Sequence, residues 1–333
     1  MTARLKIGVV GAGHLGKIHL KCIQTLSEYE LGGFYDTDIA TRGETAKQFE
    51  THAFDSIDAL IAACDVVDIV TPTIYHFEVA QKAILAGKHI FIEKPLTHTI
   101  EEGEKLVALV KQHKLIAQVG HVERFNPAFL AVADMKFAPL FIEAHRLAPF
   151  NPRGTDVSVV LDLMIHDIDL VLHIVKSPIK EIHANGAAVV SNTPDICNVR
   201  LAFENGSFAN LTASRISFKQ MRKMRVFQRN AYMSLDFFEK TAQVIHLFDE
   251  ETVKVLTDAE RDTLLSFDNN GIKKWVRIDM PDVPTVNAIA LELQTLAHSI
   301  LENKPVRVTI DSAFEALKVA HRIIEAIGDT SFS

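Results

Sequence analysis

The sequence has few cysteines: Cys22, Cys64 and Cys197 are the only ones in 333 residues, and no two of them form a CxxC pair. Widely spaced cysteines with apolar neighbours are typical of buried thiols in a reducing compartment, so we expect no disulfide framework. The fifteen histidines form no HExxH motif and do not pair with cysteine at zinc-finger spacing. We therefore expect no metal site.

Long apolar runs and an excess of positive charge are also missing. No stretch approaches the ~20 apolar residues that span a bilayer, and no signal-peptide core precedes the first apolar run, Lys6–Val10. The net charge of -7 leaves no general field for nucleic acid or an acidic membrane. We expect a cytoplasmic protein whose partners are small molecules, with neither nucleic acid nor membrane among them.

Hydrophobic residues (48%) and charged residues (23%) are balanced as in an ordinary globular protein. The length exceeds that of one typical core and predicts two domains, which we place at 1–122 and 123–333. In the first, short apolar runs alternate with amphipathic stretches, which predicts a parallel sheet covered by helices on both faces. The predicted strands are Lys6–Val10, Leu31–Tyr35, Val66–Val70, His89–Ile92 and Leu115–Val119.

The pattern changes in the second domain, where one long apolar helix at 157–175 precedes several alternating runs. Asn205-Gly206 separates two of these runs and is a strong hairpin signal. We predict an α+β domain with an open, mostly antiparallel sheet, closed by helices at about 286–301 and 312–327, the last of which could pack back on the first domain. The predicted strands are Val199–Phe203, Ser207–Ala213, Arg222–Phe227, Ala231–Asp236, Gln243–Leu247 and Trp275–Asp279.

A glycine-rich turn follows the first predicted strand directly. Its sequence, Gly11-Ala12-Gly13-His14-Leu15-Gly16, is a GxGxxG that opens a helix. Gly11 permits the tight turn, Gly13 lets the backbone approach a pyrophosphate, and Gly16 lets the helix and strand pack closely. With a strand before it and a helix after it, the motif predicts a Rossmann dinucleotide-binding domain.

Asp36 ends the second predicted strand, at the position where a carboxylate accepts hydrogen bonds from both ribose hydroxyls. The same carboxylate would repel a 2′-phosphate, so NAD is favoured over NADP. Arg42, one turn into the next helix, could soften that preference.

Two further motifs fall at the carboxyl ends of strands, where ligands bind in open parallel sheets. Thr71-Pro72 ends the third strand, with His76 expected to cap the next helix, and Glu93-Lys94-Pro95 ends the fourth. An ammonium group beside a nicotinamide can bind a substrate hydroxyl and stabilise the developing alkoxide. A strand-end lysine can equally be a surface residue. The expected cofactor-binding residues are Gly11, Gly13, His14, Leu15, Gly16, Asp36, Thr71, Pro72, His76, Glu93 and Lys94.

The predicted helix at 157–175 carries a stripe of polar residues on an otherwise apolar surface. Asp162, His166, Asp169 and His173 follow one another at helical spacing. A solvent face usually carries Lys, Glu and Gln, whereas this stripe carries only Asp and His, so a cavity lining is favoured over a solvent face. His166 is the natural proton carrier, and Asp162 could orient it or hold a substrate hydroxyl. Asp169 and His173 could be packing contacts.

Together these features resemble the Gfo/Idh/MocA oxidoreductases, over nearly the whole chain. The resemblance implies a Rossmann domain plus an open sheet that often forms a dimer or tetramer, with Lys94, His166 and Asp162 at the nicotinamide. The motifs that carry it are the GxGxxG turn, Asp36, Thr71-Pro72 with His76, Glu93-Lys94-Pro95 and the Asp162–His166 spacing.

One departure bears on the substrate. Many members have a glycine-rich run before the aspartate, where this chain has Val157–Val160, so an inositol or glucose preference does not transfer directly. The segments Gly120–Pro127 and Asp162–Asp169 are instead similar to the UDP-N-acetylglucosamine 3-dehydrogenases. That similarity implies oxidation of the sugar 3-hydroxyl to a ketone, on a route to amide-linked lipid A.

A nucleotide diphosphate needs cations, and several arginines fall in segments that could reach the cleft. Each could also be a surface or interface residue. The one concentrated positive charge, Arg215–Arg225, is interpreted first as a solvated strand edge and second as a diphosphate clamp. The expected substrate-binding residues are His121, Arg124, Asn126, Arg146, Arg153, Asp162 and His166.

We therefore expect an NAD-dependent dehydrogenase acting on a sugar hydroxyl, in which His166, supported by Asp162, accepts the hydroxyl proton and Lys94 stabilises the oxygen. The roles of Lys94 and His166 could be exchanged. Alternatives are a dehydrogenase of a free polyol or monosaccharide such as inositol, a reductase of a keto-sugar or linear tetrapyrrole, and a non-catalytic NAD-sensing regulator with the same fold.

Overall fold

The structure is a computed structural model. Within its described ranges, no helix is long and apolar enough to cross a bilayer. The described residues are 4–151, 157–269 and 272–328. The chain forms two compact units: Met1–Phe125 with Val286–His321, and Asn126–Thr285 with Arg322–Ser333.

The first unit contains a parallel sheet, as the sequence predicted. Over the described residues it has five strands in the order β2-β1-β3-β4-β5. Strand β3 is buried along its whole length, as expected where both faces of a parallel sheet are covered. The strands are β1 (Leu5–Val10), β2 (Tyr29–Tyr35), β3 (Val66–Ile69), β4 (His89–Glu93) and β5 (Ala117–Gly120).

Helices connect these strands, and polar side chains fix where several of them begin. Asp38 and Ser56 each accept a backbone N–H at a helix start, and Thr99 forms a capping box with Glu102. The helix after Ser56 was not predicted. The helices are α1 (His14–Thr25), α2 (Ile39–Phe49), α3 (Ile57–Ala63), α4 (His76–Leu85) and α5 (Ile100–His113).

The second unit is built on a large sheet in the order β13-β14-β12-β11-β10-β6-β9-β8-β7. Its neighbouring strands are antiparallel except for β6 and β9, which are parallel. The predicted fold class, a parallel α/β sheet plus a mostly antiparallel sheet, is confirmed. The strands are β6 (Pro139–Leu147), β7 (Ile179–Ala187), β8 (Ile196–Phe203), β9 (Phe208–Ser214), β10 (Met221–Gln228), β11 (Ala231–Asp236), β12 (Thr241–Phe248), β13 (Leu265–Asn269) and β14 (Ile272–Asp279).

The basic segment Arg215–Arg225 was interpreted as a strand edge, and this is wrong. Its second half belongs to β10, which is hydrogen-bonded to β11 on one side and β6 on the other. Lys223 lies 3.1 Å from Asp236, and Arg225 lies 2.7 Å from Glu143. The positive charge is therefore partly neutralised by carboxylates on neighbouring strands.

The long apolar helix of the second unit is not uniform. A π-helical segment, Val160–Met164, leads into α7 (Ile165–Val175), which packs on one face of the sheet. On β6, Ile142, Ala144 and Arg146 are buried. Shorter helices complete this unit: α6 (Pro127–Leu130), α8 (Glu250–Lys254) and α9 (Asp258–Arg261).

The chain returns to the first unit after the second sheet. Helix α10 (Ala288–Glu302) and the beginning of α11 (Ile310–Ile327) belong to it. Leu293 of α10 lies in the same apolar core as Ile7 and Phe34, and its carbonyl accepts the Tyr29 hydroxyl at 2.9 Å. The core of the first unit is therefore completed by residues far along the chain.

Candidate active site

The glycine turn has the conformation that its sequence requires. Gly11 has a φ of 101°, and a Cβ there would lie 2.6 Å from the Val70 carbonyl oxygen. At Gly16 a Cβ would collide with the Gly11 carbonyl. The third glycine therefore allows the helix to approach the turn itself.

The beginning of α1 is open and lacks a polar cap. No side chain caps Gly13, and the first turn carries no acidic residue. A Cβ built on Gly13 meets nothing within 4 Å, and His14 beside it is exposed. Free backbone N–H groups at a helix N-terminus bind phosphate well, so this turn fits the pyrophosphate of NAD.

Asp36, the predicted ribose ligand, follows β2 and contacts the glycine turn. Its carboxylate accepts the Ala12 N–H at 2.7 Å and the Asp38 N–H at 2.9 Å. Each carboxylate oxygen can accept a second bond, so capacity remains for hydroxyls. Arg42 is engaged elsewhere: its Nη1 donates to the Phe54 carbonyl at 3.2 Å.

The ends of β3 and β4 place the remaining predicted cofactor residues on the same edge of the sheet. Thr71 and Pro72 follow β3, and half-buried Lys94 follows Glu93 at the end of β4. The Lys94–Pro95 peptide bond is cis. The prediction that His76 caps α4 is wrong, because its ring contacts the carbonyls of Pro95 and Thr71 at 2.9 and 3.0 Å.

Behind this edge lies a buried polar cluster that the sequence did not predict: His19, Asp68, Glu93 and Glu292. His19 Nδ1 lies 2.9 Å from Asp68 Oδ2, and its Nε2 lies 3.2 Å from Glu93 Oε1. The carboxyl oxygens of Glu292 have no hydrogen-bond partner among the described residues. A signal for it was present, because Asp68 interrupts the apolar strand β3.

Three predicted substrate ligands follow β5. His121 and Arg124 are buried within the first unit. Asn126 belongs to the second unit, where its side chain accepts the Ala128 N–H at 3.0 Å and donates to the Phe237 carbonyl at 3.0 Å. Asn126 therefore caps α6 and binds the backbone at Phe237. Its binding of substrate stays a prediction.

In the second unit, Asp162 lies in the π-helical segment and His166 in the first turn of α7, and both are half-buried. The π-helical turn changes the spacing that an uninterrupted α-helix would give, and such turns are frequent at functional sites. Asp169 is buried, and the ring of His173 packs edge-on against Phe129, with ring centroids 6.0 Å apart.

Arg146, a predicted substrate ligand, is 3% exposed and forms a two-pronged pair with Asp167. Its Nε and Nη2 each donate to the carboxylate at 2.9 Å. This pair ties β6 to α7, and the binding of substrate by Arg146 stays a prediction. Arg153, another predicted ligand, lies outside the described residues.

Both units match known families. Residues 5–121 match the GFO_IDH_MocA family, described as an oxidoreductase family with an NAD-binding Rossmann fold. Residues 141–233 match the GFO/IDH/MocA C-terminal domain.

Two relatives are informative about substrates. The UDP-N-acetylglucosamine 3-dehydrogenase of Acidithiobacillus ferrooxidans is 36% identical over 91% of this chain and 90% of its own length. A solved structure with that name from the same organism has a TM-score of 0.86 at 32% identity, covering 98% of this chain and 99% of the other. The inositol 2-dehydrogenase of Paracoccus denitrificans is 33% identical over 50% of this chain and 53% of its own length.

Proposed function

The chain belongs to the Gfo/Idh/MocA family of NAD-dependent oxidoreductases, and from this premise we propose that it oxidises the 3-hydroxyl of UDP-N-acetylglucosamine to a ketone. The observation that carries the proposal is the extent of the similarity. The UDP-N-acetylglucosamine enzyme is 36% identical over 91% of the chain, whereas the inositol dehydrogenases are 28–33% identical over 50–65% of it.

The first unit supplies the cofactor-binding part of the proposal. Backbone N–H groups at the open start of α1 bind the pyrophosphate, and Asp36 accepts the ribose hydroxyls. Bound NAD supplies the hydride acceptor. Lys94, at the carboxyl end of β4, donates a hydrogen bond to the reacting oxygen and stabilises its negative charge as the carbon–hydrogen bond breaks.

The second unit supplies the proposed proton acceptor. His166 accepts the hydroxyl proton, and Asp162, in the preceding π-helical segment, keeps the imidazole oriented. A neutral imidazole is suited to this step because its ordinary pKa lies near neutral pH. The acid–base roles of Lys94 and His166 could be exchanged. We further assign His121, Arg124 and Asn126 to the sugar or phosphate oxygens as predictions that rest on family resemblance.

A substrate comparison tests the proposal. The purified protein is assayed by NADH absorbance with UDP-N-acetylglucosamine, UDP-glucose, free N-acetylglucosamine and myo-inositol. We expect kcat/KM for UDP-N-acetylglucosamine to exceed that for the free compounds at least about 100-fold, because two or more charge-assisted bonds to the diphosphate are each worth roughly 1.5–3 kcal/mol. A product oxidised at carbon 3, identified by NMR, supports the proposal. Equal or better turnover of myo-inositol would overturn it.

We also propose that the large sheet joins copies of the chain into a homodimer or homotetramer. The face of the sheet opposite α7 carries an aromatic cluster. The Phe141 ring lies 4.8 Å from that of Phe208 and 5.5 Å from that of Phe227, between ring centroids. Light scattering measures the assembly directly: we expect a dimer or tetramer, and a monomer at micromolar concentration would contradict the proposal.

A further inference from the structure

A continuous series of polar contacts runs from the middle of the parallel sheet to the backbone of Lys94. Asp68 on β3 contacts His19 Nδ1 at 2.9 Å, and His19 Nε2 lies 3.2 Å from Glu93. The other oxygen of Glu93 accepts the Lys94 N–H at 3.1 Å. His19 and Asp68 are completely buried, and all four residues lie in the first unit.

His19, in the middle of this series, lies between the buried carboxyl groups of Asp68 and Glu93. Burial alone would lower the pKa of His19, but the charges and hydrogen bonds of Asp68 and Glu93 outweigh it and raise that pKa well above its usual value. Burial would likewise raise the pKa of Glu93, but the contact with His19 holds it below the usual range. His19 is therefore an imidazolium that keeps the Glu93 carboxylate ionised in a place where a lone charge would be costly.

The fourth member of the cluster, Glu292 on α10, has the opposite character. Burial and the nearby charge of Glu93 raise its pKa well above the usual value, which favours the neutral carboxylic acid. The backbone carbonyl of Glu292 accepts a hydrogen bond from the Gln118 side-chain amide at 2.5 Å. This bond fixes this part of α10 against β5. Glu292 therefore packs beside Glu93 without placing a second negative charge next to it.

The absence of a side chain at Gly120 on β5 leaves room for the Glu93 carboxylate. A Cβ on Gly120 would lie 2.8 Å from Glu93 Oε1. The carboxylate is thus confined by His19 on one side and by the β5 backbone on another, while it holds the Lys94 N–H.

We propose that His19 is a positioning residue for the reaction, acting through Glu93 on Lys94. The proposal rests on the role given to Lys94 under the proposed function. The imidazolium sets the position of the Glu93 carboxylate, and this carboxylate fixes the Lys94 backbone at the end of β4. Because the backbone of Lys94 is fixed, its ammonium group samples fewer positions before it contacts the reacting oxygen.

The experiment is a double-mutant cycle measured by NADH formation. His19→Gln keeps a polar side chain but removes the charge, and we expect kcat to fall roughly 10- to 100-fold, the loss that small misplacements of reacting groups produce. KM for the sugar and the dissociation constant of NADH should stay within about threefold. In a Lys94→Ala background the same change should lower the residual kcat no further, because the residue through which it acts is already gone.

Two further variants separate positioning from simple destabilisation. Gly120→Ala displaces the Glu93 carboxylate while leaving every charge in place, and should lower kcat in the same way; it decides the matter if His19→Gln does not fold. Glu292→Gln makes a matched change in a neutral side chain of the same cluster, and should leave kcat within about threefold. Thermal unfolding of each variant is measured in parallel.

Several results would overturn the inference. One is an equal loss from His19→Gln with and without Lys94; another is an unchanged kcat in both His19→Gln and Gly120→Ala. His19, Glu93 and Glu292 also bring ligand atoms within 4.8 Å of one another, so metal analysis of the purified protein is included. A stoichiometric divalent ion would replace the positioning role with a metal site. If the protein prefers a sugar other than UDP-N-acetylglucosamine, the substrate proposal fails. The double-mutant cycle is then run with the preferred sugar, and it still tests the positioning proposal.

Discussion

Arg146 on β6 holds Asp167 on α7 through two hydrogen bonds of 2.9 Å, and both side chains are buried. Asp167 is the residue after His166, so the pair fixes the start of the helix that carries the proposed proton acceptor. We expect Arg146→Lys to lower the free energy of unfolding by about 3 kcal/mol, because it leaves a buried carboxylate poorly paired. We also expect a lower kcat.

Urea unfolding and steady-state kinetics measure the two effects. Arg225→Lys is the matched control, since Arg225 makes a half-exposed pair with Glu143, and its loss should cost less than about 1 kcal/mol. Equal stability of the Arg146→Lys and Arg225→Lys proteins would show that the buried pair does not hold α7.

The Asp36 carboxylate should determine the choice of cofactor. In Asp36→Asn the negative charge that repels a 2′-phosphate is absent. The amide NH2 group also replaces one carboxylate oxygen, which accepts a hydrogen bond either from the Ala12 N–H or from a ribose hydroxyl. We expect KM for NAD to rise about tenfold, as for the loss of one bond to a charged group, while activity with NADP improves. Asp38→Asn, which alters only the cap of α2, is the control. An unchanged NAD-to-NADP ratio would remove Asp36 from the ribose site.

Lys94 should be needed for turnover but not for binding of the cofactor. We expect Lys94→Ala to lower kcat/KM at least about 1000-fold, the upper range for removal of one group that stabilises an oxyanion. The dissociation constant of NADH, measured by fluorescence, should change less than about threefold. Lys88→Ala removes a half-buried lysine just before β4 and should leave kcat/KM unchanged. Full activity in Lys94→Ala would exclude the proposed role.

Asp195 should make part of the stability of the second unit dependent on pH. Its carboxylate accepts the backbone N–H groups of Val189, Val190 and Ser191 and the Ser191 hydroxyl. Burial opposes ionisation, but these bonds outweigh it and lower the pKa from 3.8 to about 2. The folded pKa is therefore below the unfolded one, so the contribution is present above pH ~4 and is lost as the pH falls toward 2.

The expected size of that contribution is about 2 kcal/mol at pH 7. Urea unfolding of wild type and Asp195→Asn from pH 7 to pH 2.5 measures it. The difference between the two proteins should be constant above pH ~4 and shrink below it. Asp262→Asn, which changes an exposed side chain, serves as the control. If the difference in unfolding free energy between wild type and Asp195→Asn does not shrink in acid, the assignment is contradicted.

Local sequence signals predicted a large part of the fold and the residues that form the candidate cofactor site. The GxGxxG turn and the apolar strands carry their own periodicity, so β1 to β5 and the position of Asp36 followed from short segments. Strand β6 was missed, although its pattern alternates, and so were β7 and β13. The hairpin at Asn205-Gly206 was predicted correctly, because the turn chemistry is local.

Partners distant in sequence could not be predicted. The pair of Arg146 with Asp167 was not predicted, because a lone arginine gives no sign of its partner and the pair exists only once β6 packs against α7. The charged segment of β10 was placed at an edge because its neutralising carboxylates lie on other strands. Glu292 could not be linked to Glu93 before α10 was known to return to the first sheet.

The return of α10 has a consequence for biosynthesis. Leu293 and Leu296 belong to the same core as Ile7 and Tyr29, so the nascent cofactor-binding region leaves the ribosome without a part of its own interior. We expect this region to reach its final stability only after α10 has been synthesised, with chaperones shielding the exposed apolar face in the meantime. Truncation before residue 286 should therefore give an aggregation-prone fragment in place of a free-standing nucleotide-binding module.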